Sequence, residues 1–268
     1  MLIIDCFMFY NEINMLSYRL NSLKELVDYF IIVESRYTHS GKEKELYYHN
    51  NKHIFQEYNP KIIHIILDDA PFKYPNIDYL KNEQWKNEHY HRNGIKNGIE
   101  QLNLNDEDIL IISDLDEIPD VDILSKIKNN TLLIDNIYNL NQDFYYYNLN
   151  SKISQIWNMS KMLPYKIYKS INKTCQDIRS HNGKSIDKAG WHLSYFGDKY
   201  FIKNKIENFG HQEFNNDFYT NLDAIENKIV NQLDLYNRPN EHIIKIPIKD
   251  NKYLPYKYEE FLSNYILY

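Results

Sequence analysis

Glycine is scarce in this chain of 268 residues, which holds only seven. Neither G-x-G-x-x-G nor a Walker-type G-x-x-x-x-G-K-[ST] occurs, which argues against a glycine-rich loop cradling phosphate. Cysteine is scarcer still, with Cys6 and Cys175 alone. No disulfide framework is expected from that pair. Cys6 lies in an apolar run and reads as a small buried hydrophobe. An excess of basic charge is also missing. Lys and Arg total 31 against 37 Asp and Glu, for a formal net charge of -6. A nucleic-acid partner demands a basic surface, so none is expected. No apolar run approaches the length of a membrane span. The N-terminus opens directly on Leu2-Ile3-Ile4-Asp5, without the basic-then-apolar pattern of a signal peptide. The expectation is a cytoplasmic or otherwise soluble protein.

What is present is a length and an apolar fraction (43%) suited to a sizeable core. Tyrosine, at 25 residues, is over-used. AT-rich codon usage and an aromatic-lined sugar groove both account for it, and composition does not choose between them.

The first half alternates strand-like and helix-like segments, which predicts an α/β fold with a central, mostly parallel sheet flanked by helices. Strands are expected at 2–9, 29–34 and 62–67, with a fourth over the run beginning at Asp108. Met15, Leu16, Leu20, Leu23, Leu26 and Val27 recur at helical spacing within 12–27. A long helix is expected over 82–102. Further strands are expected at 134–140, 144–147, 163–169 and 191–196. Helices follow at 120–128, 199–208 and 215–235, with a last one at 257–266. We read residues 1–268 as one domain. Residues 1–118 form its nucleotide-binding half and 119–268 its acceptor half with a C-terminal extension, on one continuous sheet.

The most informative stretch is Ile109-Leu110-Ile111-Ile112-Ser113-Asp114-Leu115-Asp116-Glu117-Ile118-Pro119. A β-branched apolar strand stops at three carboxylates. Two carboxylates about 4 Å apart repel by roughly 4 kcal/mol at an effective dielectric of about 20. The cluster therefore tends to keep a proton unless a cation sits on it. Oxygen ligands suit Mg or Mn. In open α/β sheets, ligands bind beyond the carboxyl ends of the strands, where Asp114, Asp116 and Glu34 fall. The alternative is a solvated turn that caps the next helix through Asp120 or Asp116.

Asn11-Glu12 follows the first strand and reads as pocket lining, with Asn11 also able to cap the next helix. Arg92 could fork a diphosphate, or simply pair with Glu88 one turn earlier. Gly190 and Gly197 bracket Trp191-His192-Leu193-Ser194-Tyr195-Phe196. There Trp191 and Tyr195 could line a cleft, and His192 could complete a metal site or hydrogen-bond a substrate hydroxyl or a backbone carbonyl. His211 competes for the metal role. Glu213 and Asp198 are the candidate general bases.

Asp5 to Glu12, Met15-Leu16-Ser17-Tyr18-Arg19-Leu20, Tyr29 to Ser35, Ser113 to Pro119 and Gly190 to Phe196 together resemble glycosyltransferase family 17, the β-1,4-mannosyl-glycoprotein 4-β-N-acetylglucosaminyltransferase family. The resemblance runs from about residue 4 to about residue 215. It implies a GT-A fold, a UDP-sugar donor (UDP-GlcNAc), a glycan or glycoprotein acceptor, a Mn or Mg cation and inversion at the anomeric carbon. The family's Asp-x-Asp falls on Asp114 and Asp116, which the resemblance assigns to metal and diphosphate. Two further readings stay open. One is a phosphoester hydrolase with Asp114 as nucleophile; the other is a glycan-binding module without catalysis.

Overall fold

A computed structural model describes residues 1–239 and 241–267. Four parallel strands form one side of the first sheet: β1 (Ile3–Phe9), β2 (Tyr29–Ser35), β3 (Ile62–Leu67) and β4 (Ile109–Asp114). Apolar residues run through them without polar alternation because both faces are covered. Ile3, Phe7 and Phe9 pack into one core beneath the helix Ile13–Leu23. Ile4 and Cys6 pack into a second core, with Ile95 and Ile99 behind the sheet. Cys6 is a buried free thiol, as expected.

The chain leaves this sheet through the acidic turn. β4 ends at Asp114, Leu115 and Asp116 turn, and β5 (Glu117–Pro119) begins a second sheet. The remaining strands are β6 (Tyr138–Leu140), β7 (Gln142–Tyr146), β8 (Ser151–Trp157), β9 (Lys161–Pro164), β10 (Lys184–Ile186), β11 (Gly190–Ser194) and β12 (Ile243–Lys245). Among the described residues the first sheet has seven strands, ordered β10-β6-β9-β4-β1-β2-β3, and the second has five, ordered β12-β8-β7-β11-β5. The single continuous sheet expected from the sequence is therefore two. Residues of the second half add β9, β6 and β10 to the edge of the first sheet and build most of the other.

Gly190 makes the junction possible. Its φ is +136°, and a Cβ there would stand 2.0 Å from the Ile118 carbonyl oxygen. Only glycine lets β11 approach β5 so closely. The expected long helix over 82–102 is broken into Glu83–Asn93 and Ile95–Ile99. Gly94 lies between them, where a Cβ would meet Val33 at 2.9 Å and Leu67 at 3.0 Å. The segment expected as a strand at 163–169 is mostly the helix Tyr165–Ser170. The helix expected over 215–235 is two, Asp217–Thr220 and Leu222–Asn231.

Candidate functional site

A cavity of about 620 Å³ opens at the carboxyl ends of β1 and β4 and is walled on its other side by β7, β8 and β11. Asp114 and Asp116 line it, and a buried arginine holds their backbone. Arg19 sits at the inward face of the helix Ile13–Leu23, fully buried. Its Nε and Nη2 donate to the two Asp5 oxygens at 2.8 and 2.6 Å. Its Nη1 donates to the carbonyl oxygens of Asp114, Leu115 and Glu117 at 2.8, 2.9 and 2.9 Å. Three carbonyls converging on one guanidinium pin the turn from below, while the Leu193 amide of β11 donates to the Asp116 carbonyl at 2.8 Å.

The carboxylates are matched by cations of the chain itself. Arg179, at the end of the helix Cys175–Arg179, donates to Glu117 Oε2 at 2.8 Å and to Asp114 Oδ2 at 2.7 Å. Arg92 Nη2 donates to Glu88 Oε1 at 2.9 Å and to Asp114 Oδ1 at 3.1 Å. Arg92 Nε is buried without a partner. Lys205 Nζ donates to Asp116 Oδ2 at 3.0 Å and lies 3.4 Å from Glu12 Oε1. Burial alone would raise the Asp116 carboxyl, but Lys205 and His192 beside it hold it well below the usual range. Burial would likewise raise Glu117, and Arg179 outweighs it, bringing the carboxyl to about 2. Mutual repulsion is thus relieved by three basic side chains rather than by retained protons.

The donor set treats a divalent cation differently at its two aspartates. Asp114 accepts from a guanidinium at each oxygen, so a cation there would have to displace an arginine. Asp116 and His192 are different. Asp116 Oδ1 and His192 Nε2 are 3.5 Å apart, close to the separation of about 3 Å between adjacent ligands around an octahedral ion with bonds near 2.1 Å. His192 Nδ1 is buried without a partner, and its ring is stacked on Phe144 at 4.5 Å. Among the described residues no three His, Cys, Asp or Glu side chains form a ready-made metal cluster. The spacing of Asp116 and His192 would suit two ligands of an ion such as Mg or Mn.

The other expected residues are distributed as follows. Glu12, Arg92, His192, His211 and Glu213 line the cavity. Arg92 makes both the Glu88 pair and the contact with Asp114, so its two readings hold together. Glu34 does not line it. It is fully buried beneath the start of the helix Tyr47–Asn51, accepting from the Tyr48 and His49 amides and facing His64 Nε2. Trp191 does not line it either. Successive strand residues face opposite ways, and Trp191 turns into the core onto Tyr253 while His192 faces the cavity. Trp85 and Trp157 supply indoles instead, and Trp157 Nε1 donates to Glu117 Oε1. Asp198 caps the helix Lys199–Asn208 and lines a separate hollow. Asn11 caps no helix; its amide donates to Asn204, and it too lines that second hollow. Asp120, by contrast, does cap the helix Val121–Lys128. His211 pairs with Glu213 at 2.7 Å and packs on Trp85; Asp116 has His192 and Lys205 as its partners instead.

Arg179, Lys205, Trp157 and the structural Arg19 were not singled out from sequence. Arg19 left a signal: it falls within the apolar helical stripe with Leu16, Leu20 and Leu23, where a charge requires a buried partner.

Parallel strands that end at an acidic turn beside a large aromatic cavity make this an α/β protein whose mixed sheet is flanked by helices. The chain belongs to glycosyltransferase family 17, whose family model matches residues 2–256. No curated protein matches it. Solved structures similar to it include a 4-diphosphocytidyl-2C-methyl-D-erythritol synthase from Anaerococcus prevotii, 10% identical, covering 75% of this chain and 93% of that one, TM-score 0.41. Another is a mannosyltransferase from Pyrobaculum calidifontis in complex with GDP-Man and Mn2+, 7% identical, covering 77% of this chain and 61% of that one, TM-score 0.42. Among the described residues no helix is long and apolar enough to cross a membrane.

Proposed function

We propose that this protein transfers a sugar, GlcNAc in the first instance, from a UDP-sugar to a glycan acceptor with inversion, assisted by Mn or Mg. The observation that carries this reading is the pairing of Asp116 with His192 at 3.5 Å, beside two arginines that meet at Asp114. Six carboxylates line the cavity among the described residues (Glu12, Glu88, Asp114, Asp116, Glu213 and Glu241), against five lysines and arginines (Lys44, Arg92, Arg179, Lys205 and Arg238). A diphosphate entering such a nearly balanced cavity needs added positive charge.

Asp116 and His192 would hold the cation. When bound, it would act as a Lewis acid that stabilises charge building on the departing diphosphate. Arg92 and Arg179 would fork the phosphate oxygens, with Asp114 bracketing the two guanidinium groups. Lys205 would shift from Asp116 toward the donor as the charge beside it changes. Trp157, half-buried in the cavity wall, would offer an apolar ring face to a sugar. Asp114 is poorly suited to nucleophilic hydrolysis, because a guanidinium donates to each of its oxygens.

The test is nucleotide release from UDP-GlcNAc, UDP-glucose, UDP-galactose and GDP-mannose, each with Mn2+, Mg2+ or EDTA, alongside a simple phosphomonoester. Metal-stimulated UDP release is expected. Phosphate release from the monoester without any UDP release would favour the hydrolase reading.

A further inference from the structure

One carboxylate in the cavity keeps an oxygen in reserve. Glu241 Oε2 is buried and has no hydrogen-bond partner. Its Oε1 lies 3.6 Å from Arg238 Nη1. The other candidates are engaged. Asp114, Asp116 and Glu88 each pair with Arg or Lys at 3.1 Å or less. Glu12 faces Lys205 and the Asn11 amide. Glu213 pairs with His211, and its side chain is 55% exposed.

Arg238 gives Glu241 a fixed neighbour. Its guanidinium is held by Asp234 and donates to the Tyr146 hydroxyl at 2.8 Å. Tyr146 packs on Phe144 at 5.1 Å, and Phe144 stacks on His192, the partner of Asp116. Glu241 therefore belongs to the wall of the second sheet, with the aromatic rings. The guanidinium groups that meet Asp114 come from other elements, the helices Glu83–Asn93 and Cys175–Arg179.

Building on the transferase reading, we propose that Glu241 is the general base. Its Oε2 takes the proton of the acceptor hydroxyl. The hydroxyl oxygen's electron pair forms the bond to the anomeric carbon. The bond from that carbon to the phosphate oxygen breaks, and its pair leaves with UDP.

The test uses the full chain with Mn2+ and UDP-GlcNAc, comparing wild type with Glu241→Ala, Glu241→Gln and Glu241→Asp. Two nucleophiles are offered: water, which must lose a proton, and azide ion, which has none to lose. Glu241→Ala and Glu241→Gln should slow UDP release to water by about a hundredfold or more. They should leave glycosyl azide formation and UDP affinity within about threefold of wild type, with an unchanged unfolding midpoint. The acid limb of the wild-type pH–rate profile should vanish in Glu241→Gln and persist in Glu241→Asp. Water reaction rates within fivefold of wild type in Glu241→Ala and Glu241→Gln would overturn the assignment and leave the transferase reading standing. So would a parallel loss of the azide reaction and UDP affinity, which marks a purely structural role. A wild-type protein that binds none of the sugar nucleotides would overturn both.

Discussion

Arg19 and Asp114 meet through the backbone: the Arg19 guanidinium donates to the Asp114 carbonyl oxygen at 2.8 Å while Asp5 holds its other edge. The acidic turn is thus set from beneath by a side chain that never reaches the cavity. Removing one member of a buried ion pair leaves the other charged and unsolvated. Arg19→Met should therefore destabilise the protein by about 3–5 kcal/mol. Urea unfolding measures this, and a loss below about 1 kcal/mol would mean the turn holds itself.

Arg179 bridges Asp114 and Glu117 with a planar fork. Lysine keeps the charge and loses the fork. Arg179→Lys should weaken UDP binding by about tenfold or more, since charge-assisted bidentate contacts are the strong ones. Calorimetric titration of both proteins with UDP checks this; equal affinities would remove Arg179 from the diphosphate site.

Acid should weaken the fold in two stages. Burial, and then the neighbouring His39, push His91 down to about 3, so the folded state stays neutral where the unfolded chain takes up a proton below about pH 6.5. Stability then falls as pH drops from about 6.5 toward 3. Burial would raise Glu88, but Arg92 and His39 outweigh it and hold the carboxyl at about 2. Its contribution, of order 3 kcal/mol, is complete above about pH 4.5 and is lost as pH falls toward 2. Urea midpoints between pH 7 and 3 should show both slopes. His91→Gln should flatten the first and Glu88→Gln the second; an unchanged first slope in His91→Gln would contradict the assignment.

Gly190 offers a backbone test. An alanine there combines a left-handed φ of +136° with a contact at 2.0 Å from a carbonyl oxygen. Gly190→Ala should cost at least about 2 kcal/mol and pull β11 from β5, carrying His192 away from Asp116. A variant as stable and as active as wild type would show that the junction relaxes freely.

The parallel side of the first sheet was legible because its strands are covered on both faces and read as unbroken apolar runs. The acidic turn was legible because such a run ends in charge. The helix expected near 199–208 is the helix Lys199–Asn208. What escaped was long-range. Arg179 and Lys205 lie 65 and 89 positions from the carboxylates that they pair with, and nothing local marks them. Trp191 read as a cleft residue and His192 as a metal ligand or hydrogen-bonding group, both in one site. The two-residue alternation of β11 sends them to opposite faces, and the choice is set by the core on one side. Glu34 sits at a strand end, where ligands are expected. Two amides at the start of the helix Tyr47–Asn51, and His64, engage it first.

The measurement closest to the central claim is the affinity for UDP in Mn2+ and in EDTA, for wild type and for Asp116→Asn. Binding should be at least about tenfold tighter with Mn2+ in wild type, a coupling of about 1.4 kcal/mol, with no difference between the two conditions in Asp116→Asn. Equal affinities in Mn2+ and EDTA for wild type, or a manganese effect that survives in Asp116→Asn, would contradict that claim.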